Sequence, residues 1–360
     1  MAQQQASAGP ASFAAGGTRP VRVWLFAVAA LVALMVSIGG ATRLTGSGLS
    51  ITEWQPIIGV VPPLSDAAWH EAFDKYRAIP QYRHVNRGMS LGAFKVIYWW
   101  EWTHRFLGRL IGIVFLLPFV YFLATGRIAR PLAARLAGIF ALGGLQGFIG
   151  WYMVRSGLAD RVDVSQYRLA LHLSLAVLIL GALLWVALSL APRDPHRARR
   201  LPLRLQAEAA VIAALVFLQI VAGAFVAGLK AGAGYNTWPL MEGRLIPQGL
   251  GAMSPWWANL FENALTVQFN HRLLAYAIVI AVLWHLWSLH RHTRDRPTRL
   301  SGVVLVGAVL AQVALGIWTL LTQVPLALGL AHQAGAVAVL GVTLWHLHRL
   351  PHASASETHH

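Results

Sequence analysis

Four histidines in this chain stand where an ionisable ring could do chemistry, and they fall at matching places. His104 lies in W-W-E-W-T-H-R and His172 in R-L-A-L-H-L-S, while His271 lies in V-Q-F-N-H-R and His332 in L-G-L-A-H-Q. Each sits in or beside a long apolar run, where an ionisable residue is costly and points to function. Imidazole nitrogen is a common axial ligand of heme iron, and helical bundles build cofactor sites from facing side chains. One histidine from each of two facing helices could therefore clamp a heme from both sides. The plainer reading is four satisfied core residues or helix–helix hydrogen bonds; their repetition at matched depth argues against it. Zinc or copper would want more ligands close together than the one pair each half offers.

A carboxylate breaks the match. Glu101 precedes His104 by three residues, which puts both on nearly one helix face, and its counterpart before His271 is Gln268. A carboxyl near hydrocarbon suits proton exchange. Equally, Glu101 could pair with Arg105 one turn on. Arg105 and Arg272 directly follow their histidines, and Arg43 opens the first long loop. Arginine suits anionic heme propionates geometrically, and it also anchors helix ends at a membrane interface; both readings stay open.

The elements that must carry these residues follow from composition. Of 360 residues 57% are hydrophobic and only 12% charged, which points to a polytopic membrane protein. Lys and Arg number 29 against 13 Asp and Glu, an excess read as membrane topology and not as nucleic-acid binding. The absence of cysteine excludes disulfides, covalently attached heme, thiolate-bound iron–sulfur and cysteine catalysis. Eight spans of about 20 residues or more are expected, near 22–42, 96–125, 132–153, 168–191, 207–229, 263–289, 300–322 and 326–348. Glycines such as Gly39-Gly40, Gly143-Gly144 and Gly147 would let helices approach closely.

Arginine crowds the connections 126–131, 192–206 and 290–299, so both termini are expected on the cytoplasmic side and all four histidines toward the outer face. Residues 1–21 read as a disordered tail and 349–360 as a second tail. In the long outer loop 43–95, Ser65 should cap a short helix that turns Trp69, Phe73 and Tyr76 to one face and covers the outer mouth. The alternative for that loop is a plain solvent loop.

The halves repeat. His104-Arg105-Phe106-Leu107 matches His271-Arg272-Leu273-Leu274, Leu169-Ala170-Leu171-His172 matches Gly329-Leu330-Ala331-His332, and Gly39-Gly40-Ala41 matches Ala222-Gly223-Ala224. The fold expected is an all-α integral membrane protein: eight transmembrane helices as two pseudo-symmetric four-helix bundles, 22–191 and 207–348, joined by a cytoplasmic linker at 192–206. His285 and His346 follow His271 and His332 by 14 residues each, or ~21 Å along a helix. They could hold a second, inner heme; the first half has Pro118 and Val186 there, and an interfacial cluster of polar residues is the plainer reading.

The chain from about 24 to 348 resembles the heme A synthase family. The motifs that carry the resemblance are G-G-A-T-R-L-T-G-S-G-L-S, E-W-T-H-R-F-L-G-R, Q-G-F-I-G-W-Y-M-V-R-S-G-L, G-Y-N-T-W-P-L-M, F-N-H-R and L-A-H-Q. The resemblance implies a bacterial inner-membrane enzyme that oxidises a methyl group of heme O to the formyl group of heme A, by successive hydroxylations and loss of water, for heme–copper terminal oxidases. It implies that His104 and His172 ligate or face the substrate heme, with Glu101 as the essential carboxylate. It further implies that His271 and His332 ligate a heme b cofactor. Arg43, Arg105 and Arg272 are the candidates for holding the heme propionates on the residue reading alone. Some members carry a cysteine pair in an outer loop; this chain is similar to the cysteine-free branch common to alphaproteobacteria and mitochondria. Implied partners are membrane lipid, an electron donor of unknown identity, the heme O synthase and oxidase assembly factors, with no nucleic acid; small-residue faces on outer helices would permit a homo-oligomer. Two other functions compete: a multiheme b-type electron carrier without chemistry on the heme, and a heme-free transporter whose histidines relay protons.

Overall fold

The computed structural model describes residues 18–159, 161–192 and 201–350. Most of the expected tails and most of the expected linker, with Arg193, Arg197, Arg199 and Arg200, lie outside the described residues, as does Asp160. Eight helices are long and apolar enough to cross a membrane: α1 (Arg19–Leu44), α4 (Leu91–Ala124), α5 (Arg130–Leu158), α6 (Gln166–Ser189), α7 (Leu203–Gly228), α9 (Ala264–His292), α10 (Arg296–Leu321) and α11 (Leu326–Arg349). The protein is a multi-pass membrane protein. Three short helices lie between spans: α2 (Asp66–Arg77), α3 (Pro80–His84) and α8 (Ala231–Gly234).

Six of the eight spans begin two to five residues before their expected starts, and α9 and α11 begin within one residue of them, because helix starts are set by the residues just outside the apolar run. Pro falls in the first turn of α1, α5 and α10, where its missing N–H costs nothing. The expected tail therefore ends at Thr18, not at residue 21. Ser90 accepts the Ala93 N–H and starts α4 at Leu91, five residues before the expected boundary. Asn263 and Asp295 cap α9 and α10 in the same way.

In the first half α1 packs on α4 and α6, and α5 packs on the same two helices. In the second, α7 packs on α9 and α11, and α10 on the same two. Each half is thus a ring of four helices. Trp24, Phe115, Leu136 and Leu183 fill the first core, and Ile212, Val282, Leu305 and Leu340 the second. The halves meet through α6 against α7, and through α11 against α1 and α6. There Gln333 of α11 donates to the Val36 carbonyl of α1 at 2.6 Å. A side chain on Gly40 would collide with the Gln333 amide, so this glycine makes the joint possible. Gly143, Gly144 and Gly147 face open space instead of a neighbouring helix.

The segment between α1 and α4 folds as its pattern predicts. Ser65 accepts the Ala68 N–H at 3.2 Å, and Trp69, Phe73 and Tyr76 are the buried face of α2. That face meets the first turns of α4: Phe73 stacks on Phe94 with centroids 4.9 Å apart, and Trp69 meets Tyr98 edge-on at 5.0 Å. Outside the membrane, Lys75 bridges Glu71 and Glu53 at 2.8 and 2.9 Å, and those two hydrogen bonds push its ammonium above its ordinary range.

Candidate functional site

Successive spans run in opposite directions, so α4, α6, α9 and α11 all start on the same side. His172, His271 and His332 lie within about two turns of those starts; His104 lies deeper in α4, whose first turns are held by α2. All four rings are half-buried. The structure brings them together as pairs within each ring of helices, and among the described residues no three His, Asp or Glu gather into a metal-ion cage. That arrangement suits a ligand clamped from two sides better than a zinc or copper centre.

Each histidine lies against a glycine on the preceding span. A Cβ at Gly39 would lie 3.1 Å from His104 Nε2, and one at Gly150 3.0 Å from His172 Cε1. In the second half the distances are 3.3 Å from Gly223 to His271 Cε1 and 2.7 Å from Gly316 to His332 Cε1. One turn before three of these glycines stands a glutamine. Gln146 donates to the His172 carbonyl at 3.0 Å and lies 3.1 Å from ring Nδ1; Gln312 donates to the His332 carbonyl at 2.7 Å and lies 3.1 Å from Nδ1. Gln219 donates to the His271 carbonyl at 3.1 Å and lies 3.1 Å from ring Nε2. The twofold sequence repeat is therefore also a repeat of helical hairpins, with glycine on the first helix and histidine on the second. The signal was present as Q-x-x-x-G at 146–150, 219–223 and 312–316, but it means nothing until the hairpins are paired.

Glu101 is buried at 2% exposure, which makes its partners decisive. Its Oε1 accepts Arg105 Nη2 at 2.6 Å and Nε at 3.1 Å, and its Oε2 accepts Ser50 Oγ at 2.8 Å and the Ile51 N–H at 2.9 Å. The ion pair with Arg105 is present. Because α4 extends back to Leu91, Glu101 meets the folded loop between α1 and α4 and not hydrocarbon. Ser50 and Ile51, which sequence reasoning missed, carry no local signal, being contacts across about 50 residues.

Arg105 is fully engaged, donating also to the carbonyls of Ile51 at 2.7 Å and Glu53 at 2.9 Å. Arg272 is not. It donates to the Tyr235 carbonyl at 3.1 Å, while its Nε and Nη1 are buried without partners, as is Gln268 Oε1 beside it. Arg272 also lines a largely apolar cavity of about 450 Å³ with Phe269, Tyr276, Met241, Leu245 and Ile246. The Arg43 guanidinium makes no hydrogen bond among the described residues; Asp163 is the charge that acts on it.

At the opposite end of the second ring, His285 and His346 touch directly, Nε2 to Nε2 at 2.9 Å. Glu208 accepts from His285 Nδ1 at 2.9 Å, and Ser301 bonds His346 Nδ1 at 2.9 Å. All four imidazole nitrogens are thereby used within the protein, and the rings leave no room for a heme between them.

The outer pairs fit a heme by three observations: glycine cradles that a Cβ would fill, orphaned oxygens on Gln146, Gln219 and Gln312, and unpartnered N–H groups on Arg272. Buried polar groups without partners call for an explanation, and a bound group is one that serves all of these.

Comparison with known proteins gives one family. The pattern of the family described as cytochrome oxidase assembly protein matches residues 22–344. The chain is 58% identical over 327 residues to a heme A synthase of Parvibaculum lavamentivorans, covering 91% of this chain and 93% of that one. It is 55% identical to a heme A synthase of Azorhizobium caulinodans (93% and 95% covered) and 53% identical to one of Rhodopseudomonas palustris (96% of each).

Proposed function

We propose, from the fact that the chain belongs to the cytochrome oxidase assembly protein family, that it is a heme A synthase, which oxidises a methyl substituent of heme O to the formyl group of heme A. The product would serve heme–copper terminal oxidases. The observation that carries this function is the asymmetry between two otherwise matched sites. Both present paired histidines against glycines, but only the first adds a carboxylate, Glu101, where the second has neutral Gln268.

The first ring of helices is the substrate site. His104 and His172 hold heme O, and Glu101 lies beside the reacting carbon, where it stabilises developing positive charge or takes up a proton. Arg105 keeps that carboxylate fixed, and Ser50 and Ile51 close the loop over it, excluding water. The second ring is the cofactor site. His271 and His332 hold heme b, and the free N–H groups of Arg272 take its propionates. Heme b, when bound, supplies one-electron chemistry. Arg43, without a hydrogen-bond partner among the described residues, remains available to a propionate; Arg105 serves Glu101 instead.

The membrane is the bacterial inner membrane, with both termini cytoplasmic and the heme sites toward the outer face. Arg127, Arg130, Arg204, Arg291, Arg294, Arg296 and Arg299 support this, since they cluster at the ends opposite the histidine quartet. An electron donor, the heme O synthase and oxidase assembly factors are the partners this activity calls for. The competing multiheme carrier would want an inner heme, and the direct His285–His346 contact speaks against it. Glu101→Ala separates the two functions: an enzyme keeps its heme spectrum and loses formyl-heme formation, whereas unchanged heme A output sinks the proposal.

A further inference from the structure

We propose that Gln146, Gln219 and Gln312 are positioning residues that fix the rings of His172, His271 and His332, and that Met35, in the fourth such place, leaves His104 as the one unfixed ligand. This inference rests on the heme sites of the proposed function.

The four hairpins allow a direct comparison. On α5, α7 and α10 the residue one turn before the histidine-facing glycine is Gln146, Gln219 or Gln312, before Gly150, Gly223 or Gly316. On α1 the residue one turn before Gly39 is Met35. Positions i and i+4 share a helix face, so all four side chains point toward the histidine helix of their own hairpin. Each glutamine grips its histidine through the backbone carbonyl and the ring: Gln312 at Nδ1, Gln219 at Nε2, and Gln146 at 3.1 Å from Nδ1 and 3.3 Å from Nε2. Met35 has no hydrogen bond to offer, and its methyl lies toward Gly108, one turn beyond His104. Among the described residues no side chain hydrogen-bonds the His104 ring.

Each glutamine also retains a buried Oε1 with no partner. An imidazole that ligates iron through one nitrogen carries a proton on the other, and that N–H is ordinarily held by an acceptor that sets the ring plane and raises ligand basicity. A turn of each amide about its terminal bond presents Oε1 to this N–H in exchange for the bond to the backbone carbonyl.

The distribution separates the two sites by rigidity as well as by charge. The second ring has two fixed imidazoles, which suits a heme that stays. The first has one fixed imidazole, His172, and one free, His104, beside Glu101, which suits a heme that must enter, react and leave.

The test uses the purified full-length holoprotein. Gln219→Met and Gln312→Met should speed loss of the resident heme to an apoglobin scavenger by about tenfold or more, the size of such outer-shell effects. Both should also shift the low-spin ferric signal, whereas Gln219→Glu, which keeps an acceptor oxygen, should restore both readouts. Met35→Gln should slow release of added heme O by about tenfold and leave the resident heme unchanged. Loss rates and spectra within twofold of the parent in both glutamine variants would overturn the inference. So would unaltered heme O release in Met35→Gln, an arm that still decides if a glutamine variant does not fold. A parent protein that takes up no heme at all instead overturns the proposed function itself.

Discussion

Arg105 and Arg272 occupy equivalent places one residue after a histidine, yet Arg105 donates twice to Glu101 Oε1 and to two loop carbonyls, while Arg272 keeps two buried N–H groups unpartnered. The difference follows from Glu101 and Gln268, one turn earlier on each helix. A carboxylate captures its arginine; a neutral amide leaves it free for an outside anion. One change of residue type thus separates a captured arginine from an uncaptured one.

Arg272→Ala should lower heme occupancy of the purified protein by about tenfold, because two charge-assisted hydrogen bonds to a buried anion are lost. Pyridine hemochrome absorbance per mole of protein measures it. Occupancy equal to the parent's removes Arg272 from the propionate role.

Arg105→Ala strands a buried carboxylate and should cost about 3–5 kcal/mol. Arg105→Ala combined with Glu101→Gln should recover part of that loss, since no charge remains to be compensated. Thermal unfolding of the two variants beside the parent tests the pair, and equal destabilisation of single and double variants would count against it.

Gly316→Ala places a methyl 2.7 Å from His332 Cε1, within a contact that cannot be kept. The ring must move, and heme in the second bundle should be lost while the helices remain folded. Gly223→Ala, with 3.3 Å of space at His271, should be the milder of the two. Absorbance at the Soret band against helicity by circular dichroism compares them; the reverse order would refute the cradle geometry.

His285→Ala should leave the outer heme in place and lower stability by about 1–3 kcal/mol, because Glu208 and His346 each lose a buried hydrogen bond. Heme content and melting temperature are read on the same sample. Loss of a spectroscopically distinct heme would restore the inner site that the 2.9 Å contact closes.

The eight spans, the four histidines, the Glu101–Gln268 contrast and the buried face of α2 were legible in the sequence, because periodicity and apolar length determine them locally. Six helix starts lie two to five residues ahead of the apolar run, since caps such as Ser90 act outside it. Spacing set the depth of His285 and His346 but not the lateral distance between two helices, so their direct contact was invisible. The engagement of Arg105 with Ile51 and Glu53 depends on a loop folding back over about 50 residues, which no local pattern encodes. The glutamine of Q-x-x-x-G was in plain view three times, yet its partner is defined only by which helix lies beside it.

The most direct measurement is heme extraction from cells that make heme O, with and without this chain, resolving hemes B, O and A by chromatography and mass spectrometry. Heme A should appear with the intact chain and vanish with Glu101→Ala, while heme B bound to the purified variant stays at the parent's level. Heme A at equal levels with and without the chain, or undiminished in Glu101→Ala, would contradict a substrate site built on His104, His172 and Glu101.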